Sequence, residues 1–169
     1  MGRSEQALVS PEERDFSPGV TKWNQIEIFE PRLDLWAISS YPYIAFPSAE
    51  DIPEDYYTPL LSRTDKELAV AEGGWISEDF KHLKATERDQ EDYLNAIHRQ
   101  IGGRLAFWIY LLMQDISLES YSQYIRGNDL DTLGFFTTVG LISSDGTPSS
   151  AFSLRDRFRG LETNKRANN

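Results

Sequence analysis

The sequence has 169 residues, enough for one ordinary domain with one core. Its 27 acidic and 17 basic side chains leave a formal charge of −10, which repels phosphate backbones and argues against nucleic acid as a partner. A neutral polymer such as a polysaccharide would not feel that charge, and nine Phe, eight Tyr and four Trp suit sugar faces while marking a globular composition.

Residues 1–20 are polar, carry Pro11 and Pro18 and show no sustained period, so a loose lead-in is expected. From Thr21, a candidate N-cap, the residues Trp23, Ile26, Phe29 and Leu33 recur at helical spacing and predict an amphipathic helix to about Pro31. Leu33–Ile38 then reads as a strand, apolar on both faces apart from Asp34, as expected of a parallel strand covered on each side. Three prolines at 47, 53 and 59 predict a long loop that ends in a short helical segment, with Pro59 opening a turn capped by Thr58.

The next strand, Glu67–Ala71, leads into Glu72, the pair Gly73-Gly74 and Trp75, so that a short apolar run delivers one carboxylate to a point where two glycines break the strand. Thr86 and Asp89 have the spacing of a capping box, and Tyr93, Leu94, Ile97 and Ile101 mark one face of the helix that Gly102 and Gly103 stop. Leu105–Met113 is the most hydrophobic run and reads as a central strand, released by Gln114 and Asp115. A short helix from Ser117 to Ile125, a segment GFFTTVGLIS of extended character, an Asp145-Gly146 turn and a last helix begun at Pro148 complete a domain over residues 21–160. Residues 161–169 are expected to fray. The order of helices and strands predicts an α/β fold with a parallel sheet.

In such folds ligands gather at the carboxyl ends of the strands. Those ends carry Ser39, Ser40, Tyr41 and Tyr43, then Glu72 and Trp75, then Trp108, Tyr110, Gln114 and Asp115. Flat aromatics to stack on pyranose rings, amides and hydroxyls to bond sugar hydroxyls, and an acid for the anomeric carbon are what a carbohydrate site requires. Each residue also has a plainer role open to it: Glu72 as a strand-end acid, Tyr41 as a turn residue before Pro42, Trp75 as a cover over the core, Trp108 as core, Gln114 and Asp115 as cap and loop bonds. With no cysteine, two histidines, and neither HExxH, Walker nor GxGxxG patterns, no cofactor and no metal site is expected. The N-terminus lacks a signal-peptide core and no apolar run approaches a membrane span, so no membrane partner is expected and the compartment stays open.

The succession LDLWAISSYPY, KELAVAEGGW, LAFWIYLLMQD and GLISSDGTPSSAF resembles the last strands of the clan of retaining glycoside hydrolases with a (β/α)8 barrel, which includes cellulases, mannanases and arabinogalactan endo-galactanases. The resemblance covers about residues 23–158 and implies part of a TIM barrel, with about three parallel strands alternating with helices. It also implies Glu72 as nucleophile, Tyr41 as a phenol near it and Trp108 as the platform of the sugar subsite; Trp75, Ser40 and Gln114 are substrate-binding candidates from their place at the strand ends. The clan's acid/base lies on an earlier strand, so it would come from a missing N-terminal half. Asp115 and Glu78 are the stand-ins within this chain. A barrel takes about 250 residues, so a sheet of three strands leaves open edges that a second chain or another copy would cover. The alternative reading is a catalytically silent carbohydrate-binding or structural remnant.

Overall fold

The structure, a computed structural model, describes residues 28–122, 124, 133–155 and 158. The expected lead-in over residues 1–20, most of the helix begun at Thr21, the end of the helix placed at Ser117–Ile125 and the tail at 161–169 lie outside them. Three parallel strands form one sheet in the order β1 (Leu35–Ser40), β2 (Glu67–Gly73) and β3 (Leu105–Trp108). The long helix α1 (Glu87–Ile101) connects β2 to β3, a short helix α2 (Leu118–Ser122) comes next, and residues 150–155 are helical again. The architecture is α/β, as the alternation of apolar runs with helical periods predicts.

One face of the sheet is the core. Trp36, Leu68 and Val70 are buried there against the Tyr93, Leu94, Ile97 and Ile101 face of α1. The opposite face is largely open: Ala37 and Ser39 of β1, Ala71 and Glu72 of β2, and Phe107 of β3 are exposed, while Ala69, paired between Ala37 and Phe107, is buried. This departs from the expectation that β1 is covered on both sides, because a helix packs against only one face of the sheet.

β3 also differs from its expected length and place. The regular ladder ends at Trp108, although the Ile109 N–H still donates to Val70 O at 2.8 Å and the Leu111 N–H to Gly73 O at 2.7 Å. Among the described residues β2 is central and β3 lies at the sheet edge. The apolar run divides between side chains packed on the core (Trp108, Tyr110, Leu111) and side chains on the open face (Phe107, Ile109), so its hydrophobicity does not mean burial on both sides.

The segment expected to be extended at GFFTTVGLIS begins instead with tight turns over residues 134–138, and becomes extended only at its end, where Ile142 forms isolated bridges with Gln114 and Pro148. Thr137 Oγ1 donates to Gly134 O at 3.0 Å, the Phe136 N–H donates to Leu133 O at 2.9 Å, and a Cβ at Gly134 would run into the Phe80 ring. The turn around Thr58 begins one residue earlier than expected: Thr58 is already inside a 3-10 segment, and its hydroxyl donates to Asp55 O rather than capping. The Asp145-Gly146 turn is present, with Gly146 at φ 92°, a conformation that favours glycine.

The start of α1 couples local and tertiary structure. The capping box forms, with Asp89 Oδ2 accepting from Thr86 N at 2.9 Å and Thr86 Oγ1 at 2.8 Å. The other oxygen of the same carboxylate accepts from Ser48 Oγ at 2.9 Å and Ala49 N at 3.0 Å, which ties the loop after β1 to the helix. Desolvation acts to raise the pKa of Asp89, but the bonds from Ala49, Thr86 and Ser48 outweigh it and hold the carboxyl below its ordinary value of 3.8. Asp89→Ala is therefore expected to destabilise the domain by about 2 kcal/mol or more in urea unfolding. Because the folded pKa is depressed, the stability contributed by ionised Asp89 is present above pH 3.8 and lost as pH falls through the folded value. The gap between wild type and Asp89→Asn should narrow on acidification over that range.

Candidate functional site

β2 delivers Glu72 to the carboxyl end of the sheet with its side chain exposed, beside Ser39 of β1 across a register shift between Ile38 and Ser39. The two glycines after it do not reverse the chain. Gly73 is the last residue of β2, and Gly146 is the one described glycine with a positive φ. They are required by close approach: a Cβ at Gly73 would lie 2.5 Å from the Tyr93 hydroxyl oxygen and 2.8 Å from Ser40 O, and one at Gly74 would run into Val139.

That approach lets Tyr93, at the centre of α1 and fully buried, donate its hydroxyl to Ser40 O at 3.1 Å, while the Gly74 N–H donates to the same oxygen at 3.2 Å. Ser40 Oγ pairs with the Tyr57 hydroxyl at 2.7 Å. The end of β1 is thus held from the helix, from β2 and from the intervening loop. The next residue, Tyr41, donates its phenol proton to Glu72 Oε1. Burial, and then the hydrogen bond and negative charge of Glu72, push the Tyr41 pKa far up, so the phenol remains a neutral donor. With Oε1 engaged, Oε2 is the carboxylate oxygen left for other chemistry among the described residues.

The other expected site residues separate from this pair. Trp75 is wholly buried, with its ring 5.9 Å from Tyr43 and 6.3 Å from Tyr93, and so has no face to offer a sugar. Trp108 pairs in register with Val70 and therefore points to the helix side, where its ring lies 6.0 Å from Tyr93 and 6.5 Å from Phe158. The expectation of a Trp108 platform beside Glu72 is corrected by this alternation. Ser40 is buried and engaged with Tyr57, a structural role. Gln114 is exposed, and its amide donates to Ser143 O at 3.3 Å and Ser144 O at 3.4 Å.

Asp115 accepts the Gly140 N–H at 2.7 Å, while its own N–H donates to Ile142 O at 2.8 Å. Burial lifts its carboxyl pKa to about 6, opposed by the Gly140 bond and assisted by the negative charge of Glu78. Among the described residues no group of three or more His, Asp or Glu side chains is placed to hold a metal ion, and no helix is long and apolar enough to cross a membrane.

Two residues flank the pair: Tyr43, which the sequence placed among the strand-end residues without a role, and Phe136, which it did not single out. Tyr43 donates its hydroxyl to Phe135 O at 2.8 Å and packs edge-on to Tyr41 at 6.0 Å; Phe136 meets the Tyr41 ring at 5.1 Å and 72°. The signal available for them was the alternation Tyr41-x-Tyr43 and the Gly-Phe-Phe run at 134–136, neither of which reveals contact across 95 residues of chain.

No family model matches the sequence, and no curated protein matches it. Solved structures do. A Ruminococcus gnavus β-glucuronidase crystal structure is 15% identical with a TM-score of 0.52, covering 86% of this chain and 24% of that one. A second R. gnavus β-glucuronidase structure is 14% identical with a TM-score of 0.50, covering 76% and 22%. An active-site mutant of Rhizomucor miehei β-1,3-glucanosyltransferase in complex with laminaritriose is 18% identical, covering 74% and 44%, with a TM-score of 0.49. The chain thus spans less than half the length of each of these structures. At these identities the likeness is one of fold: the three parallel strands and their helices match part of a (β/α)8 barrel.

The geometry leads to two expected outcomes. Gly73→Ala forces a Cβ against Tyr93 and Ser40 and should cost about 1–3 kcal/mol in urea unfolding. Asp115 titrates with a folded pKa above its ordinary 3.8, so its favourable contribution is present below pH 3.8 and lost as pH rises to about 6. Between those values wild type should lose stability relative to Asp115→Asn, measured by thermal melts at pH 4 and pH 7.

Proposed function

We propose that this chain is the C-terminal part of a retaining glycoside hydrolase acting on β-linked polysaccharide, with Glu72 as the nucleophile. The observation that supports it is the Tyr41–Glu72 pair: an exposed carboxylate at a strand's carboxyl end, with one oxygen held by a neutral phenol and the other left to attack. In that role Oε2 bonds to the anomeric carbon as the bond to the leaving group breaks, and Tyr41 fixes the carboxylate plane for in-line approach. Two carboxyls about 5 to 5.5 Å apart perform retaining hydrolysis, the second protonating the leaving oxygen. On this reading the second carboxyl comes from strands of the barrel other than these three.

The competing reading is a barrel portion that binds carbohydrate, or only completes a structure, without turnover. The two are separated by a sugar whose leaving group needs no proton. With 2-deoxy-2-fluoro-β-glycosyl fluorides of the gluco, manno and galacto series, attack by Glu72 expels fluoride and leaves a stable glycosyl ester. Mass spectrometry should find one adduct per chain on the peptide containing Glu72. Glu72→Gln should lower the rate of labelling on the order of 10³-fold or more. No adduct with any of the three sugars, together with retained binding to β-glucan, mannan or galactan, would select the silent reading.

A further inference from the structure

We infer that Phe136 is a positioning residue for Glu72, acting through Tyr41. The inference deepens the reading of Glu72 as the reacting carboxylate and rests on it for its functional meaning. A tyrosine at a strand end can swing about its side-chain bonds, and its hydroxyl reaches a fixed carboxylate only if the ring is confined. The Tyr41 ring is confined by two near-perpendicular neighbours, Tyr43 at 6.0 Å and 78° and Phe136 at 5.1 Å and 72°. Both walls lead back to one dipeptide, since the Tyr43 hydroxyl is anchored on the carbonyl of Phe135 at 2.8 Å.

The segment carrying that dipeptide is fixed from several directions. The Ile116 N–H donates to Thr137 O at 2.9 Å, the Ser77 N–H to Thr138 O at 2.8 Å, and the Gly140 N–H to Asp115 at 2.7 Å. From α1, the fully buried Gln90 donates its amide to Val139 O at 3.3 Å and Gly140 O at 2.9 Å, and to Trp75 O at 3.0 Å. Gly134 admits the Phe80 ring beneath the first turn, and Phe80 packs edge-on to Phe135 at 5.2 Å. Phe136 is therefore an apolar wedge on a rigid mount, and Tyr41 takes its orientation from it. Its 95-residue separation from Tyr41 makes this a tertiary device with no counterpart in the local sequence around Glu72.

The test uses protein labelled with ¹³C at the tyrosine ζ carbon, whose resonance responds to hydrogen-bond donation by the phenol. Glu72→Ala supplies the position of the Tyr41 signal with the bond lost, and Tyr57, bonded to Ser40, serves as a fold reference. In Phe136→Ala the Tyr41 signal should move to its Glu72→Ala position while Tyr57 stays in place. Phe136→Leu, which keeps an apolar wedge, should restore the wild-type position. Tyr43→Phe, which removes only the anchoring hydroxyl, should move Tyr41 part of the way. The inference is overturned if Tyr41 keeps its wild-type position in Phe136→Ala, if Phe136→Leu fails to restore it, if Tyr43→Phe leaves it unmoved, or if Tyr57 shifts together with it, the mark of general loosening. The readout needs no turnover. A Glu72 adduct with an unmoved Tyr41 signal would sink the positioning role alone, and a moving Tyr41 signal without any adduct would sink the nucleophile reading alone.

Discussion

The carbonyl oxygen of Ser40 is the point on which the rest of the arrangement depends. It accepts from Tyr93 in the covering helix and from Gly74 at the end of β2, so one backbone atom joins two strands and the helix layer. The joint exists only because Gly73 lacks a side chain where the Tyr93 hydroxyl comes through. A buried phenol without a partner would be costly, so the fold gains both a satisfied hydroxyl and a fixed strand end from the same close approach. The neighbouring residue inherits that fixity: Tyr41 starts from a pinned backbone and needs only its ring orientation settled to meet Glu72.

Two fully or largely buried polar side chains of α1 extend the same logic outward. Asp89 holds the loop after β1, and Gln90 holds the loop after β2 together with residues 139–140. They are adjacent in sequence and point in different directions, as residues about 100° apart on a helix must. One turn of helix thereby fastens three connections that the sheet alone leaves free. The aromatic residues fill the space so defined, with Trp75 and Trp108 serving as packing between helix and sheet while Tyr43 and Phe136 pack on the ring of Tyr41, the partner of Glu72.

The two faces of the sheet have different status. The helix-covered face is a complete core, with Leu68, Val70, Leu94 and Ile97 at or near zero exposure. The other bears Ala37, Ser39, Ala71 and Phe107, and Glu72 sits at its carboxyl end. In a closed (β/α)8 barrel that second face is the one turned inward and filled by side chains from alternate strands. Phe107 and Ile109, 42% and 50% exposed, are apolar residues of that kind. Glu72 and its phenol lie at the carboxyl ends of the strands.

Local pattern carried much of this. The capping box at Thr86 and Asp89, the apolar stripe Tyr93-Leu94-Ile97-Ile101, the strand run before Glu72 and the Asp145-Gly146 turn each arise from interactions within a few residues, and a chain of any fold would show them. The place of Glu72 at a strand end and its nearness to Tyr41 were legible because strand ends in a parallel sheet share one side. By itself, then, the sequence determined an α/β domain with parallel strands and put a carboxylate and a phenol at their carboxyl ends. Only the tertiary structure decided which aromatics belong to the site. A strand's two faces alternate residue by residue, and the bulges between Ile38 and Ser39 and between Leu68 and Ala69 shift register without a mark in the sequence. Trp108 therefore turned to the helix and Trp75 into the core. The wall beside Tyr41 came instead from Phe136, whose contact arises from packing between segments 95 residues apart, where no sequence period reaches.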